Sequence, residues 1–99
     1  MYLERYIVEI RSLCQKNRVK SLYVFGSVLT DRFTEDSDID LIVDIDSNDP
    51  LVYADFYFDL KFALEDLLNR KVDLLESRAL KNPYLLDNIN QSKRVLYAS

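Results

Sequence analysis

The chain has 99 residues, 48% hydrophobic and 30% charged, a balance that excludes disorder and leads to one globular domain over residues 1–99. Its net charge of −4 and pI near 4.7 argue against direct nucleic-acid binding, which needs a basic face. The absence of histidine removes Ser-His-Asp and Cys-His nucleophile pairs and every His-ligated zinc site within the chain.

From Tyr2 to Asn17 the apolar residues Leu3, Tyr6, Ile7, Ile10, Leu13 and Cys14 fall at helical spacing. Ser21–Phe25 is short, apolar and aromatic, and predicts a buried strand that ends at Gly26. Val28–Phe33 predicts a short helix or turn. Ser37–Asp44 alternates, with Asp38 and Asp40 on one side and Ile39, Leu41 and Val43 on the other, as a strand does. Asp46-Ser47-Asn48-Asp49-Pro50 is turn chemistry. Leu51–Arg70 predicts the longest helix, with Tyr53, Phe56, Leu60, Leu64, Leu67 and Leu68 inward. Lys71–Leu75 predicts a third strand. Ser77 or Asn82 opens a further helix with Tyr84, Leu85 and Ile89 on its apolar face, and Arg94–Tyr97 closes the chain as a strand. Strands alternating with helices imply an α/β fold: a small mixed sheet with helices packed mainly on one face.

The longest apolar run is four residues, as at Leu22–Phe25, far short of the roughly 20 a membrane span needs. Glu4, Arg5 and Glu9 break any signal-peptide core. Cys14 is the only cysteine and has no partner for an internal disulfide, which leads to a reducing, cytoplasmic setting.

Chemistry must therefore run on carboxylates, hydroxyls, cationic side chains and backbone groups. Carboxylates with hydroxyls and no imidazole suit a hard cation such as Mg²⁺. Gly26 is the only glycine, and Gly26-Ser27 follows a strand. A glycine there lets backbone approach a ligand, and amides with a hydroxyl form a phosphate cradle. The same residue also serves a plain tight turn that needs positive φ. In Ser37-Asp38-Ile39-Asp40-Leu41, strand residues two apart point the same way, roughly 6.5–7 Å from one another. Two such carboxylates can close on an ion; without one they repel. Asp73, a single acid among apolar strand residues, is the candidate third ligand. Its plain alternative is solvation, or pairing with Lys71 or Arg70. Asp44-x-Asp46-x-Asn48 mimics the start of a calcium loop but has Asp49 where the glycine belongs and Asp55 where the bidentate Glu belongs. The helix aromatics Tyr53, Phe56, Tyr57 and Phe58 read as core, with some of the chain's 12% aromatic residues surfacing at a partner interface.

Gly26-Ser27, ten residues, then Asp38-Ile39-Asp40 resembles the signature of the nucleotidyltransferase superfamily, and the Ser-Asp-Ile-Asp-Leu wording resembles its minimal branch. That branch includes antitoxins paired with HEPN-domain toxins. The resemblance runs from the first helix through Asp73 to Val95-Leu96-Tyr97. It implies that Gly26 and Ser27, with Ser37, contact the nucleotide. It implies that Asp38, Asp40 and Asp73 are the metal ligands and catalytic residues for two Mg²⁺ ions, replaceable by Mn²⁺. The donor would be a nucleoside triphosphate, ATP foremost, and the acceptor a hydroxyl of a small helical HEPN-type partner protein. Where many relatives continue Gly-Ser with a basic Arg-x-Arg-Gly stretch, this chain has Val28-Leu29-Thr30-Asp31. The alternative is a catalytically weak or inactive module that neutralises its partner by masking it.

Overall fold

The structure, a computed structural model, describes residues 1–99. Four strands form one sheet in the order β3-β2-β1-β4, where β1 is Val19–Phe25, β2 Ile39–Ile45, β3 Val72–Glu76 and β4 Arg94–Ala98. β1 runs antiparallel to β2 and to β4, while β2 and β3 are parallel. Parallel neighbours need a crossover, and α2 (Pro50–Leu68) supplies it. The mixed sheet agrees with the predicted fold class.

Alternation decides the two faces. Leu22 and Val24 of β1, Ile39, Leu41, Val43 and Ile45 of β2, and Val72 and Leu74 of β3 are buried in one core. α2 closes over them with Leu60, Leu64 and Leu68, and α1 (Ile7–Lys16) with Ile10 and Cys14. Burying side chains of this size contributes about 1.5–3 kcal/mol each, so this face holds the fold. The opposite face carries Tyr23, Phe25, Asp40, Ile42, Asp44, Asp73 and Leu75, alternate residues of the same strands. α3 (Pro83–Ser92) ends against this second face, where its C-cap Lys93 lies 4.3 Å above the Tyr23 ring.

Caps set the helix limits. Asp49 accepts from the amides of Leu51 and Val52 with Pro50 following, and Asn82 accepts from Tyr84 and Leu85 with Pro83 following. Asn69, in the left-handed region at φ 50°, ends α2.

Several sequence expectations shift, among them the helix or turn expected at Val28–Phe33, which is a 3-10 turn at Gly26–Leu29. Tyr2–Tyr6 is a 3-10 turn rather than α-helix, because the Tyr2 hydroxyl donates to the Leu68 carbonyl at the end of α2 and its ring packs on Tyr6 and Phe33. β1 starts two residues earlier than expected. β2 starts at Ile39, so Ser37 and Asp38 precede it rather than belong to it. Tyr84 and Leu85 are exposed, at 82% and 39%, rather than on a buried face; α3 is anchored by Ile89, with Leu86 half-buried.

Candidate active site

Gly26 leaves the end of β1 at φ +81° and opens a 3-10 turn, Gly26–Leu29. A β-carbon at this position would fall on the Asp40 carboxylate. The glycine is therefore needed twice, for its positive φ and for the space Asp40 occupies. The turn is tied off by Thr30, whose amide and hydroxyl both donate to the Ser27 carbonyl at 2.9 Å. Thr30 Oγ1 in turn accepts from the Arg32 amide at 3.1 Å.

Asp40 lies directly opposite Asp73 on the parallel neighbour and opposite Phe25 on the antiparallel one. Burial lifts its carboxyl above the ordinary range, and the charges of Asp73 and then Asp38 lift it further. Asp73 is exposed and has neither of the partners the plain reading offered it: Lys71 makes no ion pair with it, and Arg70 is spent elsewhere. Asp38 is also exposed, one residue before β2. No three such side chains converge on one point as a closed metal cage would have them. The donors are all carboxylate oxygens at one end of the sheet, the type a hard divalent cation takes. Cys14, the one soft donor, is buried in the core on the other face.

Arg70 shapes the loop that delivers Asp38. It donates from Nη1 to the carbonyls of Thr34 and Ser37, both at 2.8 Å, and stacks over Phe33 at 4.4 Å and Tyr2 at 4.8 Å. The Ser37 hydroxyl accepts from the Thr34 amide at 3.0 Å and lies 3.2 Å from the Thr34 hydroxyl. Ser37 thus closes its own loop.

Beside Gly26 and Ser27 lies a groove of about 730 Å³ that also takes in Thr30, Arg32, Lys93 and Arg94. Arg32 faces the groove, whereas Asp31 does not line it. Lys93 and Arg94 escaped the sequence reading. Only the antiparallel pairing of β4 with β1, which sets Arg94 opposite Val24, brings them to Gly26. The one available signal was a Lys-Arg pair at the junction between the predicted helix and the strand predicted at Arg94–Tyr97.

The calcium-loop mimic is something else. Asp44 pairs with Arg78 at 3.1 Å, and Arg78 also donates to the carbonyls of Ile45 and Ser47. Asp49 caps α2. Of the α2 aromatics, Tyr53, Phe56 and Tyr57 pack against the core as expected. Phe58 lies stacked on Phe62, and both are exposed.

Residues 8–99 match the family described as polymerase beta, nucleotidyltransferase. MJ1379 of Methanocaldococcus jannaschii, named as a candidate protein adenylyltransferase, is 38% identical over 79 residues, covering 80% of this chain and 78% of that protein. A solved structure described as a candidate minimal nucleotidyltransferase superposes with a TM-score of 0.75 at 33% identity, over 93% of this chain and 90% of the other. The fold also recurs, with a TM-score of 0.66 at 22% identity, in a chain of the solved complex of tri-AMPylated Shewanella oneidensis HEPN toxin with MNT antitoxin. That match covers all of this chain and 74% of the other.

Proposed function

We propose that this chain, which belongs to the polymerase beta nucleotidyltransferase family, transfers AMP from ATP to a hydroxyl of a small helical HEPN-type protein and thereby acts as that partner's antitoxin. The observation that carries the reading is the pairing of Asp40 with Asp73 across adjacent strands, beside a glycine that leaves Asp40 its space. The relatives' names support adenylyl transfer to protein, and the toxin complex supports the kind of partner.

Asp38, Asp40 and Asp73 would hold Mg²⁺, with Mn²⁺ as a substitute. Bound there, the cation supplies charge neutralisation of the triphosphate and a lower pKa for the attacking hydroxyl. The chain's residues do the positioning. Gly26 lets the phosphates approach the backbone, and Ser27 offers its hydroxyl and amide. The acceptor oxygen forms a bond to the α-phosphorus while the bond from that phosphorus to the bridging oxygen of the β-phosphate breaks. Pyrophosphate leaves, and the hydroxyl proton passes toward exposed Asp73. ATP as donor places the reaction in the cytoplasm. No helix is long and apolar enough to cross a membrane.

Label transfer decides it. The chain, the HEPN-type protein encoded beside it, Mg²⁺ and α-labelled ATP are mixed, with the other nucleoside triphosphates run alongside. Label enters the partner, and Asp38→Asn with Asp40→Asn lowers the rate by on the order of a thousandfold or more, while the complex still forms. A silenced partner that takes up no label from any of the triphosphates would establish masking instead.

A further inference from the structure

We infer that Lys93, the C-cap of α3, and Arg94, the first residue of β4, together with Arg32, form the seat for the β- and γ-phosphates of the donor and take the place of the basic stretch missing after Ser27. The inference rests on the nucleotidyl-transfer reading and extends it to residues at the far edge of the sheet.

Three observations converge. The groove beside Gly26 and Ser27 has three cationic side chains among its lining residues and no acidic one. This is a chain with 17 acids against 13 cations, so a wall without acids runs against its composition. None of the three cations is in a salt bridge; the ion pairs of the fold are Met1 with Glu4 and Asp44 with Arg78. A cation with no carboxylate partner is free for an anionic ligand, and guanidinium groups hold phosphate oxygens in a planar fork.

Strand order gives the third observation. Going across the sheet, Asp73, Asp40, Gly26 at the end of β1 and Arg94 follow one another at the same end of four successive strands. Adjacent strands are about 4.8 Å apart, so the backbone at Asp40 on β2 and at Arg94 on β4 stands about 10 Å apart with the end of β1 between them. A polyphosphate laid over Gly26 meets the carboxylates, and any cation they carry, at its α-phosphate end. It meets Lys93, Arg94 and Arg32 at its tail. Lys93 is already held in place, since its ammonium sits over the Tyr23 ring and its amide donates to the Ile89 carbonyl at 2.8 Å. The C-terminal end of α3 points its partial negative charge at the same spot, which favours cations there but opposes an anion. Three full positive charges outweigh that half charge.

The test separates tail from nucleoside. Calorimetry measures binding of Mg·ATP, Mg·ADP, AMP and inorganic tripolyphosphate to the full chain and to Lys93→Gln/Arg94→Gln. ATP and tripolyphosphate should lose at least about tenfold in affinity, AMP less than twofold, and the salt dependence of ATP binding should become shallower. Lys93→Arg/Arg94→Lys, which keeps both charges, should recover most of the loss. Unfolding curves check the double variant. If losing the Lys93–Tyr23 contact unfolds it, Arg94→Gln alone, at an exposed position, carries the same comparison. Unchanged ATP affinity, or equal losses for ATP and AMP, overturns the phosphate seat and leaves the nucleotidyl-transfer reading standing. A wild-type chain that binds no nucleoside triphosphate overturns both.

Discussion

A β-carbon on Gly26 would occupy the place of the Asp40 carboxylate. The turn after β1 and the acid of β2 are therefore one unit, and the glycine is not present for ligand access alone. Gly26→Ala should cost about 1 kcal/mol or more from the positive φ, with a further loss from the overlap. In an Asp40→Ala background the overlap is relieved and the φ cost remains. Urea unfolding of the four proteins of this cycle should give a coupling of about 1 kcal/mol. Additive costs would mean the two residues move apart without strain.

Asp40 gives the fold a pH dependence with a defined sign. Its carboxyl is lifted in the folded chain, first by burial and then by Asp73 and Asp38. The folded state therefore holds this proton more tightly than the unfolded chain does. The contribution to stability is fully present below the ordinary value of 3.8 and is lost as pH rises through the lifted value. Asp40→Asn should melt higher than wild type at pH 7, with the gap closing toward pH 3. Mg²⁺ should raise the melting temperature of wild type more than that of Asp40→Asn. A variant that melts below wild type at pH 7 would show that ionised Asp40 is stabilised by contacts the fold does not display.

Arg70 holds the Thr34 and Ser37 carbonyls and stacks on two rings. Arg70→Lys should not replace it, because an ammonium lacks the planar fork and the flat face. Amide exchange at Ser37 and Ile39 should quicken in both Arg70→Ala and Arg70→Lys, and adenylyl transfer should slow with it. Exchange unchanged from wild type would remove Arg70 from the positioning of Asp38.

Cys14 is fully buried, and burial pushes its thiol up to about 12. Disulfide-exchange reagents act on the thiolate. At pH 8 the native chain should resist labelling, and the rate should track unfolding as urea is added. Rapid labelling of the native chain would mean that α1 opens readily from the sheet.

The element types were legible because each rests on local chemistry. Leu60, Leu64 and Leu68 mark a helix by spacing, Asp49-Pro50 and Asn82-Pro83 mark helix starts, and Ile39, Leu41 and Val43 mark a strand by alternation. The boundaries that moved were set by distant partners. Tyr2 is held by the Leu68 carbonyl, and Ser37 by Arg70, 33 residues away in sequence. Tyr84 and Leu85 have helical spacing, yet only packing decides whether an apolar face is covered.

The same division runs through the site. The sequence by itself determined the acids, the lone glycine after a strand and the absence of imidazole, because composition limits which chemistry a chain can run. It also placed Asp38 and Asp40 together, since they are two residues apart. Only the tertiary structure decided that Asp73 faces Asp40, that Gly26 makes room for it, and that Lys93 and Arg94 stand beside Gly26. The physical reason is that facing and register are fixed by which residues bury the core. Register across the sheet is set by Leu22, Leu41 and Leu74 on the buried side; Asp40 and Asp73 on the other face are carried to their places with it, and Arg94, paired with the core residue Val24, reaches the Gly26 end along the β4 edge.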